Sequence, residues 1–307
     1  MAQKISIIIP VLNEEKNITV IYTSVKNLFP PESSYTFELL FIDDGSTDNT
    51  LNNIKQIANA DPAVLFVSFS RNFGKDNALY AGLIKSTGDA IVTMDADMQH
   101  SPILIKQLIE KWESGYDVIY YYREVESEMS IFSSAFYKIL NLLSDVKLEN
   151  GISDFRLMDR KVVNALGGIK EDNLFFRGLV KWVGFNQIGL PYKPEERNSG
   201  KTRYRTKMLV TLAVNSIISF STKPLTIAIY LGFIFSLLSA LFIPYAIYSK
   251  IHNLAISGWA SVIVTIAFFG GLNLMILGIV GLYLGKTFMQ GKNRPLYIIS
   301  ESNIQNL

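Results

Sequence analysis

The sequence predicts an α/β domain built on a mainly parallel sheet, followed by amphipathic interfacial helices and two transmembrane helices. Three observations carry this expectation. Short β-branched runs alternate with helical periodicities through residue 94, the pattern of a parallel sheet covered on both faces. Acidic clusters stand where several of those strands end. Two long uncharged runs occupy the last third of the chain.

The elements follow in order. Residues 5–10, Ile-Ser-Ile-Ile-Ile-Pro, read as a buried strand. Polar Asn13-Glu14-Glu15-Lys16-Asn17 leads from it into a helix over residues 18–28. Residues 37–42 form a second strand that ends on Asp43-Asp44-Gly45-Ser46, and residues 50–58 form the next helix. A third strand covers residues 64–68, a third helix residues 77–86, and a fourth strand residues 90–94, which runs into Asp95-Ala96-Asp97. Sheets of this kind bind ligands beyond the carboxyl ends of their strands. Polar clusters fall there after the first, second and fourth strands.

Downstream, Ile131, Phe132, Ala135, Phe136, Ile139, Leu140 and Leu143 recur at helical spacing and predict an amphipathic helix over residues 130–148. Packing on the core is the simpler reading of its apolar face, and a membrane surface is the alternative. Residues 207–220 form a second such stretch, with Arg203, Arg205 and Lys207 at its start and an apolar run directly after it. A membrane-surface role is expected there. Residues 224–249 carry no charge, and neither do residues 253–285. Each run exceeds the ~20 apolar residues that cross a bilayer. Lys250 and His252 lie between them, Lys201 to Lys223 precede the first, and Lys286, Lys292 and Arg294 follow the second. Positive residues stay on the cytoplasmic side, so both termini are expected there, with the hairpin loop outside. Pro244 is expected to kink the first span. Gly270-Gly271, Gly278, Gly281 and Gly285 would let the second pack closely, between subunits of a homo-oligomer.

Composition narrows the function classes. A chain of 307 residues holds one large domain or two modest ones. Its net charge of +2 makes no case for a nucleic-acid partner. The absence of cysteine excludes disulfides and thiolate metal sites and suits a reducing compartment. The apolar run at the N-terminus is short for a signal peptide and no small-residue cleavage site follows. The front of the chain is therefore expected in the cytosol, on a protein integral to the membrane.

The sharpest chemical signal is Asp95-Ala96-Asp97. Two carboxylates one residue apart on a strand-end turn can share a hard cation, Mg²⁺ or Mn²⁺, with Gln99 adding an oxygen and a nucleotide diphosphate completing the shell. The bland alternative is an exposed turn. In Asp43-Asp44-Gly45-Ser46-Thr47-Asp48, Gly45 permits a tight turn and Asp48 is expected to cap the next helix. Asp43 and Asp44 are left for sugar hydroxyls or a base edge. Residues 10–14 lack the G-x-G-x-x-G of nicotinamide-binding domains, and the chain has no Walker phosphate loop.

Five segments in order carry a resemblance: Ile-Ile-Pro-Val-Leu-Asn-Glu-Glu (8–15), Phe-Ile-Asp-Asp-Gly-Ser-Thr-Asp (41–48), Arg-Asn-Phe-Gly-Lys (71–75), Met-Asp-Ala-Asp-Met-Gln-His (94–100) and Ser-Asp-Phe-Arg-Leu-Met-Asp-Arg (153–160). Together they resemble the inverting family-2 glycosyltransferases. Over the whole chain the resemblance is to the polyprenyl-phosphate members, bactoprenol glucosyltransferases and dolichol-phosphate mannose synthases. It implies a Rossmann-like GT-A fold, a nucleotide-sugar donor with UDP-glucose the first choice, a divalent metal, and an undecaprenyl-type phosphate as acceptor.

By motif, Pro10, Asn13, Glu14 and Asp44 would line the nucleotide pocket, with Asp43 and Lys75 also toward the nucleotide-sugar. Asp95 would meet the ribose or diphosphate, and Asp97 and Gln99, with Asp95, would hold the metal. Asp154 matches the family's proposed catalytic aspartate; a salt bridge to Arg156 or Arg160 is the structural alternative. Two anions must meet in such a site, so cations are needed. Arg123, Lys201 and Arg203 are the candidates for the acceptor phosphate, Arg203 equally readable as a positive-inside flank. Relatives often carry another basic residue where this chain has residues 126–131, which are acidic and apolar.

The expected division is residues 1–125 for the nucleotide-sugar core, 126–223 for the acceptor side, 224–285 for the transmembrane hairpin and 286–307 for a cytoplasmic tail. A processive polysaccharide synthase is a rival, but no Q-x-x-R-W occurs and two spans are few for a channel. A non-catalytic scaffold is another, which the presence of Asp95, Asp97, Gln99 and Asp154 opposes.

Overall fold

The computed structural model describes residues 3–123, 151–169, 171, 174–192, 217, 221–252 and 258–304. The helices expected over residues 130–148 and 207–220 lie outside these (apart from residue 217), as do Lys201 and Arg203. The chain divides into two units. One holds Met1–Tyr137, Val146–Tyr204 and Arg294–Leu307, and the other holds Lys138–Asp145 and Arg205–Asn293.

The first unit is an α/β fold on an eight-stranded mixed sheet. Strands β1 (Gln3–Val11), β2 (Tyr35–Asp43), β3 (Val64–Phe69) and β4 (Ala90–Thr93) alternate with helices α1 (Ile18–Lys26), α2 (Thr50–Ala60) and α3 (Lys75–Lys85). After α4 (Ile105–Glu113) come β5 (Val118–Arg123), β6 (Ile152–Asp159), α5 (Arg160–Gly167), α6 (Phe176–Trp182) and β7 (Gln187–Tyr192). The final strand, β8 (Ile299–Ser302), is drawn from the far end of the chain. The order across the sheet is β7-β5-β6-β4-β1-β2-β3-β8.

The first four strands form where β-branched runs were read, and their parallel pairing places β1 at the centre. Successive side chains of a strand face opposite ways. Ile5, Ile7 and Ile9 therefore join α1, α2 and α4 in one core, with Leu39, Phe41, Ile54 and Leu108. Ile8 faces α3 on the other side, so close to Gly82 that a Cβ there would lie 2.3 Å from it.

Two strands break the parallel pattern. β6 runs antiparallel to both β4 and β5, and β8 runs antiparallel to β3. The reversal of β6 matters most. Its register sets Arg156 level with Thr93, the last residue of β4, so Asp154 projects past the carboxyl end of β4. Arg123 ends β5 at that same edge, level with Tyr192.

The second unit contains α7 (Lys223–Ile251) and α8 (Trp259–Gly291), of 29 and 33 residues. Pro244 stands inside α7. Phe235 meets Phe268 and Phe269 edge-on, and the Tyr283 hydroxyl donates to the Ser221 carbonyl at 2.8 Å. Among the described residues one stretch, Val264–Gly291, is long and apolar enough to cross a membrane, with mean hydropathy 2.0; Lys223–Leu238 is a shorter apolar helix.

The β3 edge is covered by the tail. The Asn303 carboxamide accepts from the Phe66 N–H at 2.7 Å and donates to the Val64 carbonyl at 3.1 Å, and Tyr297 stacks on Phe69. An uncovered edge strand invites pairing with other chains. Asn303→Leu removes both bonds, and about 1 kcal/mol of stability is the expected loss, read as a lower thermal midpoint of the purified chain.

Candidate active site

Three loops meet at the carboxyl edge of the sheet and are stitched to one another. Asn13, after β1, sits at φ 56°, a left-handed conformation that asparagine tolerates. Its N–H donates to the Ser46 hydroxyl at 2.9 Å, and its side-chain oxygen accepts from the Thr47 N–H at 2.8 Å. The Glu14 N–H donates to the Thr50 hydroxyl. Asp44 is buried and accepts from the N–H groups of Phe73 and Gly74 at 2.6 and 3.0 Å, which ties the loop after β3 to the loop after β2. Gly45 lies in the seam. Its φ is 75°, and a Cβ there would fall 2.6 Å from the Arg71 backbone. Both the dihedral and the approach of Arg71 require glycine.

These stitches sort the acidic cluster. Asp43 is buried, accepting from the Ser46 N–H at 3.0 Å and the Ser68 hydroxyl at 2.7 Å, so it holds the turn against β3. The N-cap of α2 is Asn49 rather than the expected Asp48, which stands one residue ahead and accepts the Thr50 N–H at 2.9 Å.

Between the loops lies a cavity of about 350 Å³. Pro10, Glu14, Asp44, Lys75, Asp95 and Asp97 line it, with Leu12, Asn72 and Gly74. Its volume falls in the range of small-molecule sites. Asn13 and Asp43 stand outside the lining, in the stitches behind it. Burial pushes the Glu14 carboxyl up, against the bond from Asn17, and the charges of Asp97 and Asp48 push the same way. Burial also raises Asp44, opposed by the Phe73 and Gly74 amides and aided by Asp43.

The Asp95-Ala96-Asp97 turn closes one side. Met98 takes a left-handed φ of 56°, folding Gln99 back so that its N–H donates to Asp97 at 3.1 Å and its carboxamide nitrogen reaches the same carboxylate. The Gln99 carboxamide thus turns its nitrogen, not its oxygen, onto Asp97. Asp95 accepts the Lys75 ammonium at 2.5 Å. Among the described residues no three acidic or histidine side chains converge into a ready cation cage. The carboxylates of Asp95 and Asp97 fit a hard cation that takes one or two carboxylates and completes its shell with phosphate and water, and the Gln99 carboxamide would turn its oxygen to join them.

Beside this turn stands Asp154, 3% exposed, brought to the edge by the reversed β6. The Thr93 hydroxyl grips its carbonyl at 2.5 Å. Arg177, in α6, donates to both carboxylate oxygens, Nε at 2.6 Å and Nη2 at 2.8 Å. Lys75, in the first turn of α3, donates to the same carboxylate at 2.7 Å and so bridges Asp154 and Asp95. Buried Arg156 lies 3.7 Å away. Arg160, the other partner considered from sequence, donates instead to the Gly88 carbonyl.

Burial alone would raise the Asp154 pKa, but the Arg177 bond and charge, then Lys75 and Arg156, hold it well below the usual carboxylate range. Asp154 therefore stays anionic and is a poor proton acceptor. Burial works against the Lys75 ammonium, yet attraction to Asp154 and Asp95 outweighs it and raises its pKa.

Sequence reasoning assigned no role to Arg177, Asp76 or His100. The signal for Arg177 was present, a lone charge in the apolar run Leu174-Phe175-Phe176-Arg177-Gly178-Leu179-Val180. Asp76 follows Lys75 in the first turn of α3, close enough to feel the charges of Asp154 and Arg177. Burial, then the Asp154 charge, push the Asp76 carboxyl up to about 6. His100 is buried, its Nε2 3.1 Å from the Ser153 hydroxyl and its ring against Phe155 and Tyr192. It ties the turn after Asp97 to the start of β6, and burial lowers its pKa.

Two predictions follow from this geometry. Gly45→Ala should cost about 3 kcal/mol, from the left-handed dihedral and the Arg71 contact, measured by equilibrium unfolding. The raised Asp76 pKa means that the folded chain holds this proton more tightly than the unfolded chain. Its contribution therefore falls as pH rises from the ordinary carboxyl range to about 6, and the penalty is fully present above that. Asp76→Asn removes the charge and keeps the size of the side chain. It should raise the melting temperature at pH 8 but not near pH 4.

Comparison with known proteins places the chain. It is 40% identical over 301 residues to the prophage bactoprenol glucosyl transferase homolog of Escherichia coli (strain K12), covering 96% of this chain and 98% of that protein. It is 38% identical over 308 residues to the bactoprenol glucosyl transferase of Shigella phage SfII, covering 99% of each. The mannosyltransferase PcManGT from Pyrobaculum calidifontis, solved in complex with GDP-Man and Mn²⁺, matches in fold with a TM-score of 0.52 at 16% identity, over 95% of this chain and 85% of that one. Residues 6–167 match the family described as glycosyl transferase family 2, and the chain, a glycosyltransferase of GT-A fold, belongs to that family.

Proposed function

We propose that the enzyme transfers a sugar, glucose from UDP-glucose in the first instance, to an undecaprenyl-type polyprenyl phosphate, with inversion at the anomeric carbon, at the cytoplasmic face of a bacterial inner membrane. The observation that carries this reading is the juxtaposition at one sheet edge of a cavity of small-molecule size, the Asp95-Asp97 turn and a buried, cation-clamped Asp154. The names of the bactoprenol glucosyl transferases that resemble it over nearly the whole chain support the lipid-phosphate acceptor.

In the proposed reaction an oxygen of the acceptor phosphate attacks the anomeric carbon, and the bond from that carbon to the diphosphate breaks. The nucleoside diphosphate leaves with the bonding pair. A phosphate monoester has its second pKa near ~6, so it arrives largely deprotonated and needs no strong base. Asp154, held anionic by Arg177 and Lys75, is suited to orient these cations and through them the reactants. Glu14, Asp44 and Lys75 would position the nucleotide-sugar within the cavity. A divalent cation held by Asp97, Gln99 and Asp95 would supply Lewis-acid neutralisation of the charge on the leaving diphosphate.

The acceptor is a lipid, and the chain carries the means to stay beside it. Val264–Gly291 meets the length and composition of a span. In the proposed arrangement α7 crosses as well, both termini are cytoplasmic, and the basic residues before α7 face anionic headgroups, worth about 1 kcal/mol each near the surface.

The test is transfer itself. Purified full-length protein should move label from a radiolabelled nucleotide-sugar into the lipid phase when given undecaprenyl phosphate and Mg²⁺ or Mn²⁺. No lipid-phase label from any donor would overturn the reading. Asp97→Ala should lower transfer by about a hundredfold or more with its melting temperature kept, and activity surviving that change would remove Asp97 from the metal site.

A further inference from the structure

We infer that Arg177 and Lys75, mounted on the buried carboxylate of Asp154, form the seat of the acceptor's phosphate monoester. This rests on the reading of the enzyme as a polyprenyl-phosphate transferase and adds the residues that recognise the phosphate.

The argument starts from exposure. The Asp154 side chain is 4% exposed and that of Arg156 only 2%, while those of Arg177 and Lys75 are 41% and 42% exposed. A cation serving only to neutralise a buried carboxylate is best buried with it, as Arg156 is, stacked on the Phe176 ring. Arg177 and Lys75 instead contact Asp154 and stay about four-tenths exposed, Lys75 reaching Asp95 as well. A guanidinium matches phosphate as a fork and an ammonium adds a point charge. Asp154 grips Arg177 through two parallel bonds, which fixes the plane of the fork before any ligand arrives.

Position supports the same assignment. Lys75 joins Asp154 to Asp95, so the cation pair lies between the turn proposed for the donor's diphosphate and the strand that carries Asp154. Displacement at the anomeric carbon requires the attacking oxygen to come from the side away from the leaving diphosphate. In this cluster that is the Asp154 side, where Arg177 stands. A phosphate dianion beside a buried carboxylate is repelled unless positive charge stands between them, and these two side chains supply it. Of the cations named from sequence for this task, Lys201 and Arg203 lie outside the described residues.

The test uses the full-length enzyme. Arg177→Lys should raise KM for undecaprenyl phosphate about tenfold or more while leaving KM for the nucleotide-sugar within about twofold. An unchanged acceptor KM with a fall in kcat alone, or an equal rise in both KM values, would mark Arg177 as a counter-ion and overturn the assignment. A readout on the wild-type protein guards against a variant that does not fold. Phenylglyoxal labelling followed by peptide mass spectrometry should modify Arg177, and farnesyl phosphate, but not UDP-glucose, should protect it. No labelling there, or labelling indifferent to farnesyl phosphate, overturns the assignment as well. Should the wild-type enzyme label no polyprenyl phosphate, the proposed function fails; should it label normally while these readouts stay flat, only this assignment fails.

Discussion

A carboxylate withdrawn from water takes up a proton unless positive charge surrounds it. Asp154 is withdrawn almost completely and is met by Arg177, Lys75 and Arg156. Much of the site follows from that one arrangement. Lys75 can reach Asp154 only because α3 begins where the loop after β3 ends, and Arg177 only because α6 packs beside α3. Asp95 enters the same network through Lys75. The Asp95 turn and the strand that carries Asp154 are therefore joined by ion pairs through Lys75. Removing one partner from a group of this kind leaves an uncompensated charge behind.

The cavity depends on a different constraint, the closeness of three loops. Asn13, Asp44 and Gly45 do not share a role by likeness of side chain. One fills a left-handed backbone position and accepts from Thr47, one takes two amides from the next loop, and one has no side chain to obstruct Arg71. The result is a cavity wall whose donors and acceptors are largely oriented before ligand arrives, the usual route to low reorganisation in a polar site. It also separates two neighbours of similar appearance. Asp43 is turned inward to the Ser46 amide and Ser68, and Asp44 lines the cavity.

Under the proposed function the long apolar helices would serve the acceptor. A polyprenyl phosphate keeps its tail in hydrocarbon and only its head in water, so an enzyme that uses one gains by residing at the boundary. The tail of the chain returns from α8 to pair with β3, closing an edge that would otherwise be open. The catalytic sheet is thus completed by residues from beyond the apolar helices.

The sequence by itself determined the local pieces. The Ile-rich run of β1 and the apolar strands β2, β3 and β4 are legible because burial on both faces demands unbroken hydrophobicity. The acids at their ends are legible because strand ends are where such sheets expose polar groups. The uncharged runs near the C-terminus were plain from length alone. Beyond residue 94 the pattern fails, and β6 shows why. Its core positions include Asp154 and Arg156, which no hydrophobic periodicity would bury. Only the tertiary structure decided that this strand runs antiparallel, that Asp154 thereby reaches the edge set by β1, β2 and β4, and that its partners are Lys75, 79 residues before it, and Arg177, 23 residues after. Ion pairs across such separations leave no period in a sequence. They are fixed by strand direction and register, which emerge only when the whole sheet has formed.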